Sequence, residues 1–367
     1  MTQRAAAGTS LTIAVECSRL AHDTRGIGRY VRALLPRLLA QRPELRLIPF
    51  TRRRGELEEL RRTVAGLGLS AERAEALLFD ESRASDADLW WYPWNITRPV
   101  HHSGTVVATI HDVAPLAYPD PRRTKWWQNR RWRRLYHATA QRANLIVTVS
   151  EFTAREVHRN LDVSRERLRV TPLAADDFPV PSPARDADVL ARLGVTKPFV
   201  LAVSARDRRK NLELLDRAMP HVVDLVPSAQ LVMVGPRSAD GDPSASTWRH
   251  ETGFVSESDL ASLYRSARAL IVPSLYEGFG LPVLEAMHLG APVICARTSS
   301  LPEVGGDAAR YVSPTDEGQL ALAIARVVAD DVMYGTMQSA GFARAAQFSW
   351  DETARLTLAA FDDALRG

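Results

Sequence analysis

Short apolar runs alternate along the chain with longer segments in which apolar residues recur every three or four positions. The short runs are rich in β-branched residues and do not alternate with polar ones, which is typical of parallel strands covered by helices on both faces. The pattern predicts strands at LTIAVEC (11–17), LRLIPF (45–50), DLWWYP (88–93), TVVATI (105–110), LIVTVS (145–150), PFVLAV (198–203), QLVMVG (230–235), ALIVPS (269–274) and PVICA (292–296).

The longer segments predict amphipathic helices between these strands. The clearest are GRYVRALLPRLLAQ (28–41), NLELLDRAMPHVVDLV (211–226) and PVLEAMHLG (282–290). We expect Pro220 to kink or end the second helix, because proline lacks the amide hydrogen that a helix interior uses. The repeated order of strand and helix indicates an α/β fold with doubly wound parallel sheets.

This order occurs twice, on either side of a proline-rich stretch, DDFPVPSPARDA (176–187). The stretch has no apolar periodicity and is typical of a connection between domains. We therefore predict two Rossmann-like domains that face one another across a cleft. The predicted bounds are an N-terminal domain at 1–176, a linker at 177–190, a C-terminal domain at 191–347 and a last helix at 348–367 that packs back toward the first domain.

The composition is that of an ordinary globular protein. The chain has 367 residues, of which 46% are hydrophobic and 25% charged, which excludes a disordered chain, a collagen-like repeat and a small disulfide scaffold. Cys17 and Cys295 each lie in a predicted strand, so we interpret them as core residues of a protein in a reducing compartment. Since the sequence shows neither a bilayer-spanning stretch nor a signal-peptide core, we expect a cytoplasmic protein.

The formal net charge is only +4, but one segment, PRRTKWWQNRRWRRLYH (121–137), has no acidic residue and seven Lys and Arg residues between Pro121 and Arg134. Three interpretations stay open. The segment forms a surface helix with a buried tryptophan stripe, or it contacts an anionic membrane or a lipid diphosphate through its cationic and aromatic side chains. The third is nucleic-acid binding, but no recognised nucleic-acid module accompanies the segment, and we predict no such partner.

The most informative stretch is PSLYEGFGLPVLEAMHLGAPVICARTSSLPEVGG (273–306). A predicted strand ends here in a glycine-containing turn, Glu277–Gly280, and Pro282 then opens a helix. Glycines let backbone N–H groups approach an anion closely, and a helix N-terminus adds positive partial charge. The turn therefore predicts a phosphate or diphosphate site. Glu277 and Glu285 lie beside it, and because carboxylates do not bind phosphates, we assign them to the hydroxyl groups of sugar rings.

The run YEGFGLPVLEAMHLGAPVICARTSSLPEV (276–304) resembles the E-x7-E signature of family 4 retaining glycosyltransferases of the GT-B fold. The resemblance covers nearly the whole chain in order, through these further runs: RGIGRYVRALL (25–35), TIHDVAPLAYPDP (109–121), LIVTVSEFTAREV (145–157), LAVSARDRRKNLELL (201–215) and TGFVSESDLASLYRSARALIVPSLYEGFG (252–280).

The resemblance implies roles for particular residues. Glu277 would contact hydroxyls of the donor sugar, Glu285 the ribose, and Arg209 with Lys210 the diphosphate, replacing a metal. Some members carry an arginine where this chain has Ser204, and Arg206 is its candidate substitute. The implied catalytic set is His111, Glu277, Lys210 and Arg209. The implied donor-binding set is Gly26, Gly28, Arg206, Phe254, Val255, Gly278, Phe279, Gly280, Leu281 and Glu285.

Two of these assignments rest on weak local signals. Gly26-Ile27-Gly28 is not a Rossmann fingerprint, since Val31 stands where the third glycine is required. His111 follows the strand TVVATI, at an edge where ligand-binding residues collect, and in the family it touches the donor sugar. The cluster Trp90, Trp91 and Trp94 is assigned to the core and to the wall of an acceptor pocket.

The predicted function is transfer of a hexose from a nucleotide sugar to an acceptor hydroxyl with retained anomeric configuration. GDP-mannose is the favoured donor, with UDP-, dTDP- and ADP-sugars open, and the acceptor is a glycan, a lipid-linked or a small molecule of bacterial surface polysaccharide, glycolipid or glycosylated metabolite assembly. No cofactor or metal is expected, because the triplets Asp86-Ala87-Asp88 and Asp186-Ala187-Asp188 do not follow a strand end. The alternatives are a nucleotide-sugar epimerase or phosphorylase of the same fold and a non-catalytic membrane-docking subunit.

Overall fold

The chain divides into two α/β units, each built on one parallel sheet. The computed structural model describes residues 11–23, 26–79, 87–97, 104–119, 126–203, 207–236 and 247–367. Unit 1 comprises Met1–Leu173 together with Trp350–Gly367, and unit 2 comprises Ala174–Ser349. None of the helices in the described ranges is long and apolar enough to cross a bilayer.

Unit 1 is built on a seven-stranded parallel sheet with the order β3-β2-β1-β4-β5-β6-β7. Its strands are β1 (Thr12–Glu16), β2 (Arg46–Thr51), β3 (Leu77–Leu78), β4 (Leu89–Tyr92), β5 (Thr105–Ile110), β6 (Leu145–Thr148) and β7 (Leu168–Val170). Its helices include α1 (Ile27–Gln41), α2 (Leu57–Gly66), α3 (Ala114–Ala117), α4 (Trp126–Arg142) and α5 (Glu151–Leu161). Strand order reverses between β1 and β4, which makes their carboxyl ends a ligand-binding position in such sheets.

Unit 2 has a six-stranded parallel sheet with the order β10-β9-β8-β11-β12-β13. Its strands are β8 (Phe199–Val203), β9 (Gln230–Val234), β10 (Arg249–Gly253), β11 (Ala269–Val272), β12 (Val293–Ala296) and β13 (Ala309–Val312). Its helices are α6 (Pro183–Leu193), α7 (Leu212–Leu225), α8 (Glu257–Ser266), α9 (Leu281–His288), α10 (Leu301–Gly305), α11 (Glu317–Ala329) and α12 (Asp331–Ala345). Here the order reverses between β8 and β11.

The apolar runs of the sequence form the cores of both units. In unit 1, Phe50, Trp90 and Ile146 belong to one buried cluster. In unit 2, Leu215 and Ile271 belong to another. Cys17 and Cys295 are buried free thiols, and burial raises the pKa of Cys295 to about 12, so both behave as core residues as predicted.

The last helix, α13 (Trp350–Arg366), belongs to unit 1 although it follows unit 2 in the chain. It packs on α1, with the rings of Trp350 and Tyr30 6.3 Å apart. Phe361 meets Trp91 edge to face with ring centroids 5.4 Å apart. Asp363 accepts a hydrogen bond from Arg169 Nε at 2.7 Å. This helix therefore completes the hydrophobic core of unit 1.

Two predicted elements differ from the structure. Helix α7 continues through Pro220 to Leu225, so the proline does not end it. The predicted linker at 177–190 contains most of α6, whose Val189 and Leu190 are buried. Ser182 caps this helix by accepting a hydrogen bond from the Arg185 amide, and Pro183 occupies its first turn. Part of the proline-rich stretch that was predicted as a linker is therefore the beginning of a helix.

Every predicted strand is present, but four further strands were missed. These are β3, β7, β10 and β13. Two of them, β10 and β13, are edge strands of unit 2 with few fully buried residues, and β3 has only two residues. The prediction relied on continuous apolar runs, which edge strands do not need.

Candidate functional site

A short basic turn, Arg208–Lys210, follows β8 at the position where the strand order of unit 2 reverses. Asn211, which ends the turn with a left-handed φ of 53°, donates side-chain hydrogen bonds to the carbonyl oxygens of Pro273 at 3.0 Å and Pro314 at 2.8 Å. The Leu275 amide donates to the Arg209 carbonyl at 2.6 Å. These bonds hold the basic turn against the loop that follows β11.

The structure brings two predicted catalytic residues together here. Lys210 Nζ lies 2.7 Å from Glu277 Oε1, and the Ser274 hydroxyl donates to the same oxygen at 2.7 Å. The two charged side chains are 20% and 11% exposed, so the pair is largely removed from water. The pairing fixes the direction of a cation and a carboxylate at the reversal point of the sheet.

Arg209 is oriented by its own turn. Its Nε and Nη2 donate to Asp207 Oδ2 at 3.2 and 3.1 Å, and its amide donates to Asp207 Oδ1 at 3.0 Å. The two cations that the prediction assigned to the diphosphate, Arg209 and Lys210, are therefore each oriented by one carboxylate. The third candidate, Arg206, lies outside the described residues.

Two serines form hydrogen bonds to the backbone of the glycine turn. The Ser300 hydroxyl lies within hydrogen-bond distance of the carbonyls of Glu277 and Phe279, at 3.0 and 2.7 Å, and Ser299 Oγ accepts from the Glu277 amide at 3.0 Å. Gly280 has φ 101°, and a Cβ there would lie 2.9 Å from Leu301 Cδ2. Only glycine suits this position.

Helix α9 begins directly after Gly280, at Leu281, with no side-chain cap. Its first amides, together with the partial positive charge of the helix N-terminus, form the arrangement that binds phosphate groups. Phe279 is 4% exposed and packs edge to face on Phe348, with ring centroids 6.2 Å apart, so the turn is anchored on its inner side.

Glu285 lies in the second turn of α9. Its carboxylate is 7% exposed and accepts a hydrogen bond from the Tyr264 hydroxyl at 2.9 Å. On the loop after β10, Phe254 is 69% exposed while Val255 is buried. The Phe254 side chain is therefore accessible to solvent, whereas Val255 is not.

In unit 1, His111 follows β5 and is 8% exposed. Its Nε2 lies 2.9 Å from the Pro93 carbonyl oxygen, so this nitrogen carries the hydrogen and Nδ1 is the acceptor. Burial lowers the pKa of His111 to about 4. The ring of Tyr30 meets the imidazole edge to face at 4.9 Å. The imidazole is therefore neutral and firmly oriented.

The two glycines of unit 1 have different positions. Gly26 precedes α1 with φ 55°. A Cβ on Gly28 would lie 1.7 Å from the backbone oxygen of Asp23, so a side chain would displace the loop after β1. The glycine pair thus allows close backbone approach where α1 begins.

The sequence analysis missed the residues that hold the charged groups in place. These are Asp207, Asn211, Tyr264, Ser274, Ser299 and Ser300. Asn211 directly follows the basic triplet, and Ser274 is the last residue of the run ALIVPS, so their positions offered a signal. Tyr264 lies within a helix and offered none. Of the metal-type triplets, Asp186 lies in α6 and pairs with Arg265 at 2.9 Å, and Asp86 lies outside the described residues.

Solved structures share this fold over nearly the whole chain. Sucrose-phosphate synthase from Thermosynechococcus elongatus is 22% identical with a TM-score of 0.70, covering 96% of this chain and 98% of that one. The Anabaena protein Alr3699/HepE in complex with UDP and glucose is 16% identical with a TM-score of 0.72, covering 96% and 99%. Together with the two parallel sheets, these likenesses show the GT-B fold of glycosyltransferases.

Family models and relatives agree with that class. Residues 24–177 match the model "Glycosyltransferase Family 4" and residues 197–330 the model "Glycosyl transferases group 1". O-antigen chain mannosyltransferase B of Escherichia coli is 31% identical over 71% of this chain and 71% of its own length. The chain therefore belongs to the glycosyltransferases of group 1 and family 4, which confirms the resemblance found in the sequence.

Other relatives are also mannosyltransferases. The MMP alpha-(1->4)-mannosyltransferase of Mycolicibacterium hassiacum is 29% identical over 71% of this chain and 66% of its own length. The serotype-specific mannosyltransferase WbdA of Escherichia coli is 28% identical over 70% of this chain, but the match spans only 33% of WbdA. The present chain thus corresponds to one part of that longer protein.

Proposed function

We propose that this glycosyltransferase moves mannose from GDP-mannose to an acceptor hydroxyl with retention of anomeric configuration. The observation that carries the proposal is the Lys210–Glu277 pair beside the uncapped start of α9, because it places a cation, a carboxylate and backbone amides at one ligand-binding position. The names of the mannosyltransferase relatives favour mannose and an acceptor in bacterial polysaccharide or glycolipid assembly.

Charge stabilisation would drive the departure of the nucleoside diphosphate. The bond between the anomeric carbon and the phosphate oxygen breaks while the acceptor oxygen attacks from the same face, and the leaving phosphate oxygen takes the acceptor's proton. Lys210 Nζ has three N–H donors and directs one at Glu277, so others can hold the phosphate oxygens. Arg209 and the first amides of α9 add to this stabilisation.

These positioned cations are also the basis for proposing a reaction that needs no metal. Arg209 and Lys210 supply two positive charges at the place where charge develops, which is the role a divalent ion plays in other phosphate chemistry. The proposed cofactor requirement is therefore none.

His111 would bind the donor sugar without exchanging protons at neutral pH. With its pKa lowered to about 4 by burial, the imidazole stays neutral, and the contact of Nε2 with Pro93 leaves Nδ1 as the acceptor. An acceptor nitrogen suits a sugar hydroxyl as its donor. Glu277 would take a second hydroxyl, because Ser274 and Lys210 hold its carboxylate in a fixed orientation.

We also propose a peripheral contact of α4 with an anionic membrane surface, at the cytoplasmic face. Arg130, Arg133 and Arg134 are exposed and have no ion-pair partner among the described residues, so their charge is available to phospholipid headgroups. Replacing these three by glutamine should weaken sedimentation with phosphatidylglycerol vesicles. Unchanged sedimentation at low salt would leave the helix with a structural role only.

Binding to nucleotides tests the donor assignment directly. We expect GDP to raise the Tm more than UDP, dTDP or ADP. A ligand at 100 times its Kd raises the free energy of unfolding by about 2.7 kcal/mol, so at equal concentration the nucleotide that binds most tightly gives the largest rise in Tm. Incubation with GDP-mannose and acceptor candidates, followed by NMR of the product's anomeric signal, tests retention.

The alternatives give other results. Epimerised sugar or phosphate-dependent cleavage from donor alone would indicate an epimerase or phosphorylase. Failure of all four nucleotides to shift the Tm would favour the non-catalytic docking subunit.

A further inference from the structure

Unit 1 has its own cavity at the reversal point of its sheet, between the carboxyl ends of β1 and β4 and one face of α4. It measures about 510 Å³, within the range of ligand pockets. The residues that matter for its chemistry are Glu16, Arg19, Trp94, Trp127, Arg131 and Trp132. None of the predicted donor-binding residues of unit 2 is among the residues that line it.

Helix α4 divides its side chains between this cavity and the surface. The cavity is lined by Trp127, by Arg131 one helical turn later and by the adjacent Trp132. Arg130 and Arg134 lie on another face of the same helix and do not line it. Helix α4 therefore has two distinct faces, and only the one with Arg130 and Arg134 is a candidate membrane surface.

The walls have the chemistry that recognises a ring of hydroxyl-bearing carbons. Trp94 donates its Nε1 hydrogen to the Glu16 carbonyl at 2.6 Å, which fixes one indole wall. Trp127 is 47% exposed, and its ring can cover a ligand. The Glu16 side chain, with the residue 7% exposed, is the carboxylate of the cavity. Indole faces and one carboxylate suit the apolar faces and hydroxyls of a pyranose or cyclitol.

The cavity is also lined by two arginines, Arg19 and Arg131. Arg19 and Arg131 are both exposed, and neither has an ion-pair partner among the described residues. Many other arginines of the protein do, such as Arg42 with Asp362 at 2.6 Å. Because guanidinium groups bind phosphate oxygens in a bidentate manner, this pair points to an anionic group attached to the ring.

The cavity is joined to the predicted catalytic histidine through two adjacent residues. The Pro93 carbonyl lies 2.9 Å from His111 Nε2, and Trp94 is the next residue and lines the cavity. A ligand seated against Trp94 therefore lies at the same sheet edge as His111. This placement suits the molecule that receives the sugar.

We propose that this cavity binds the acceptor as a sugar or cyclitol ring that carries a phosphate group, with the ring against Trp94, Trp127 and Trp132 and the phosphate on Arg131 and Arg19. The proposal rests on the proposed transfer reaction. The phosphate belongs either to a free sugar phosphate or to a lipid-linked sugar diphosphate, which present the same chemistry to the cavity.

Binding of mannose 1-phosphate and methyl α-mannoside, followed by tryptophan fluorescence, tests the proposal. The full-length protein is saturated with the nucleoside diphosphate found by the thermal screen, so the donor site is filled. We expect mannose 1-phosphate to bind at least about tenfold more tightly than the neutral glycoside. Arg131→Gln should abolish this difference, whereas the control Arg155→Gln, at an exposed arginine of α5 that does not line the cavity, should keep it.

A second arm distinguishes the sources of the phosphate. Phosphatidylcholine vesicles carry either undecaprenyl diphosphate N-acetylglucosamine or undecaprenyl diphosphate, which has the same diphosphate but lacks the ring. Wild type and Arg155→Gln should prefer the ring-bearing lipid, and Arg131→Gln should not. A preference in either arm that depends on Arg131 supports the proposal and names the source.

Two results would overturn it. One is equal behaviour of Arg131→Gln and Arg155→Gln in both arms, and the other is binding of the neutral glycoside as tight as that of mannose 1-phosphate. Wild-type protein that binds no nucleoside diphosphate would instead contradict the proposed function. In that case the vesicle arm, run without nucleotide, still tests the cavity.

Discussion

Replacing Lys210 by alanine should separate the stability of unit 2 from its chemistry. The change removes the cation that lies 2.7 Å from Glu277 and leaves that carboxylate, 11% exposed, with the Ser274 hydroxyl. A largely buried carboxylate that loses its counter-charge is destabilised because water does not fully replace the lost partner.

The magnitude follows from the exposure of the pair. Breaking a buried pair costs about 3–5 kcal/mol and breaking a surface pair about 0–1. With Lys210 20% exposed, we expect an intermediate loss of about 2 kcal/mol, or a fall in Tm of about 4–8 °C for a unit of this size. Sugar transfer should fall by about 100-fold or more, the scale of one positioned electrostatic contact.

Two further variants give the experiment its controls. Glu277→Gln added to Lys210→Ala removes the unpaired charge, so it should recover much of the lost Tm without recovering transfer. Arg217→Ala breaks an exposed pair with Glu317 at 2.9 Å and should cost less than about 1 kcal/mol with normal transfer. Differential scanning calorimetry and steady-state kinetics measure the two effects.

The reasoning has two points at which it can fail. Transfer by Lys210→Ala within about threefold of wild type would show that Lys210 does not hold the leaving diphosphate. A double variant no more stable than Lys210→Ala would show that the remaining carboxylate is not the source of the instability.

Three further predictions concern other features. Gly280→Ala should weaken nucleotide binding and lower the free energy of unfolding by about 1–3 kcal/mol, because φ 101° and the approach to Leu301 both oppose a Cβ. The control Gly335→Ala, in an open helical position, should leave nucleotide binding unchanged and the free energy of unfolding unchanged or higher. Nucleotide titration and urea denaturation measure the two quantities. His111 is neutral in the native state to about pH 4 but titrates near 6.5 when unfolded. The free energy of unfolding should therefore fall as the pH drops from about 6.5 to about 4. Urea denaturation of His111→Asn should show a shallower fall over this range, and a fall as steep as that of the wild type would contradict the prediction. EDTA should leave transfer unchanged, and loss restored by Mg²⁺ would contradict metal independence.

The sequence predicted the parts of the fold that depend on continuous burial. Strands such as β8 and β11 are apolar throughout, so their runs were visible without any partner. Strand β10, Arg249–Gly253, is half-buried along its whole length, and its pairing with β9 is not visible in a local pattern. Edge strands are stabilised by a neighbour's hydrogen bonds, which single-chain periodicity does not report.

The candidate site divides in the same way. The sequence proposed Lys210 and Glu277 separately, from a resemblance and a glycine turn, but their ion pair joins positions 67 residues apart. The cavity of unit 1 was only hinted at by Trp94, since its other walls come from distant segments. Residue types predict chemistry, whereas the partner of each side chain depends on how the strands are ordered.

The position of α13 has a consequence for biosynthesis. Trp350 and Phe361, both fully buried, pack against Tyr30 and Trp91, which leave the ribosome more than two hundred residues earlier. Until α13 emerges, the nascent first unit exposes the aromatic surface that this helix later covers. Unit 2 is contiguous in the chain, so it can finish folding during translation before α13 is synthesised. Unit 1 can complete its core only after α13 has been synthesised, although most of its residues are translated first.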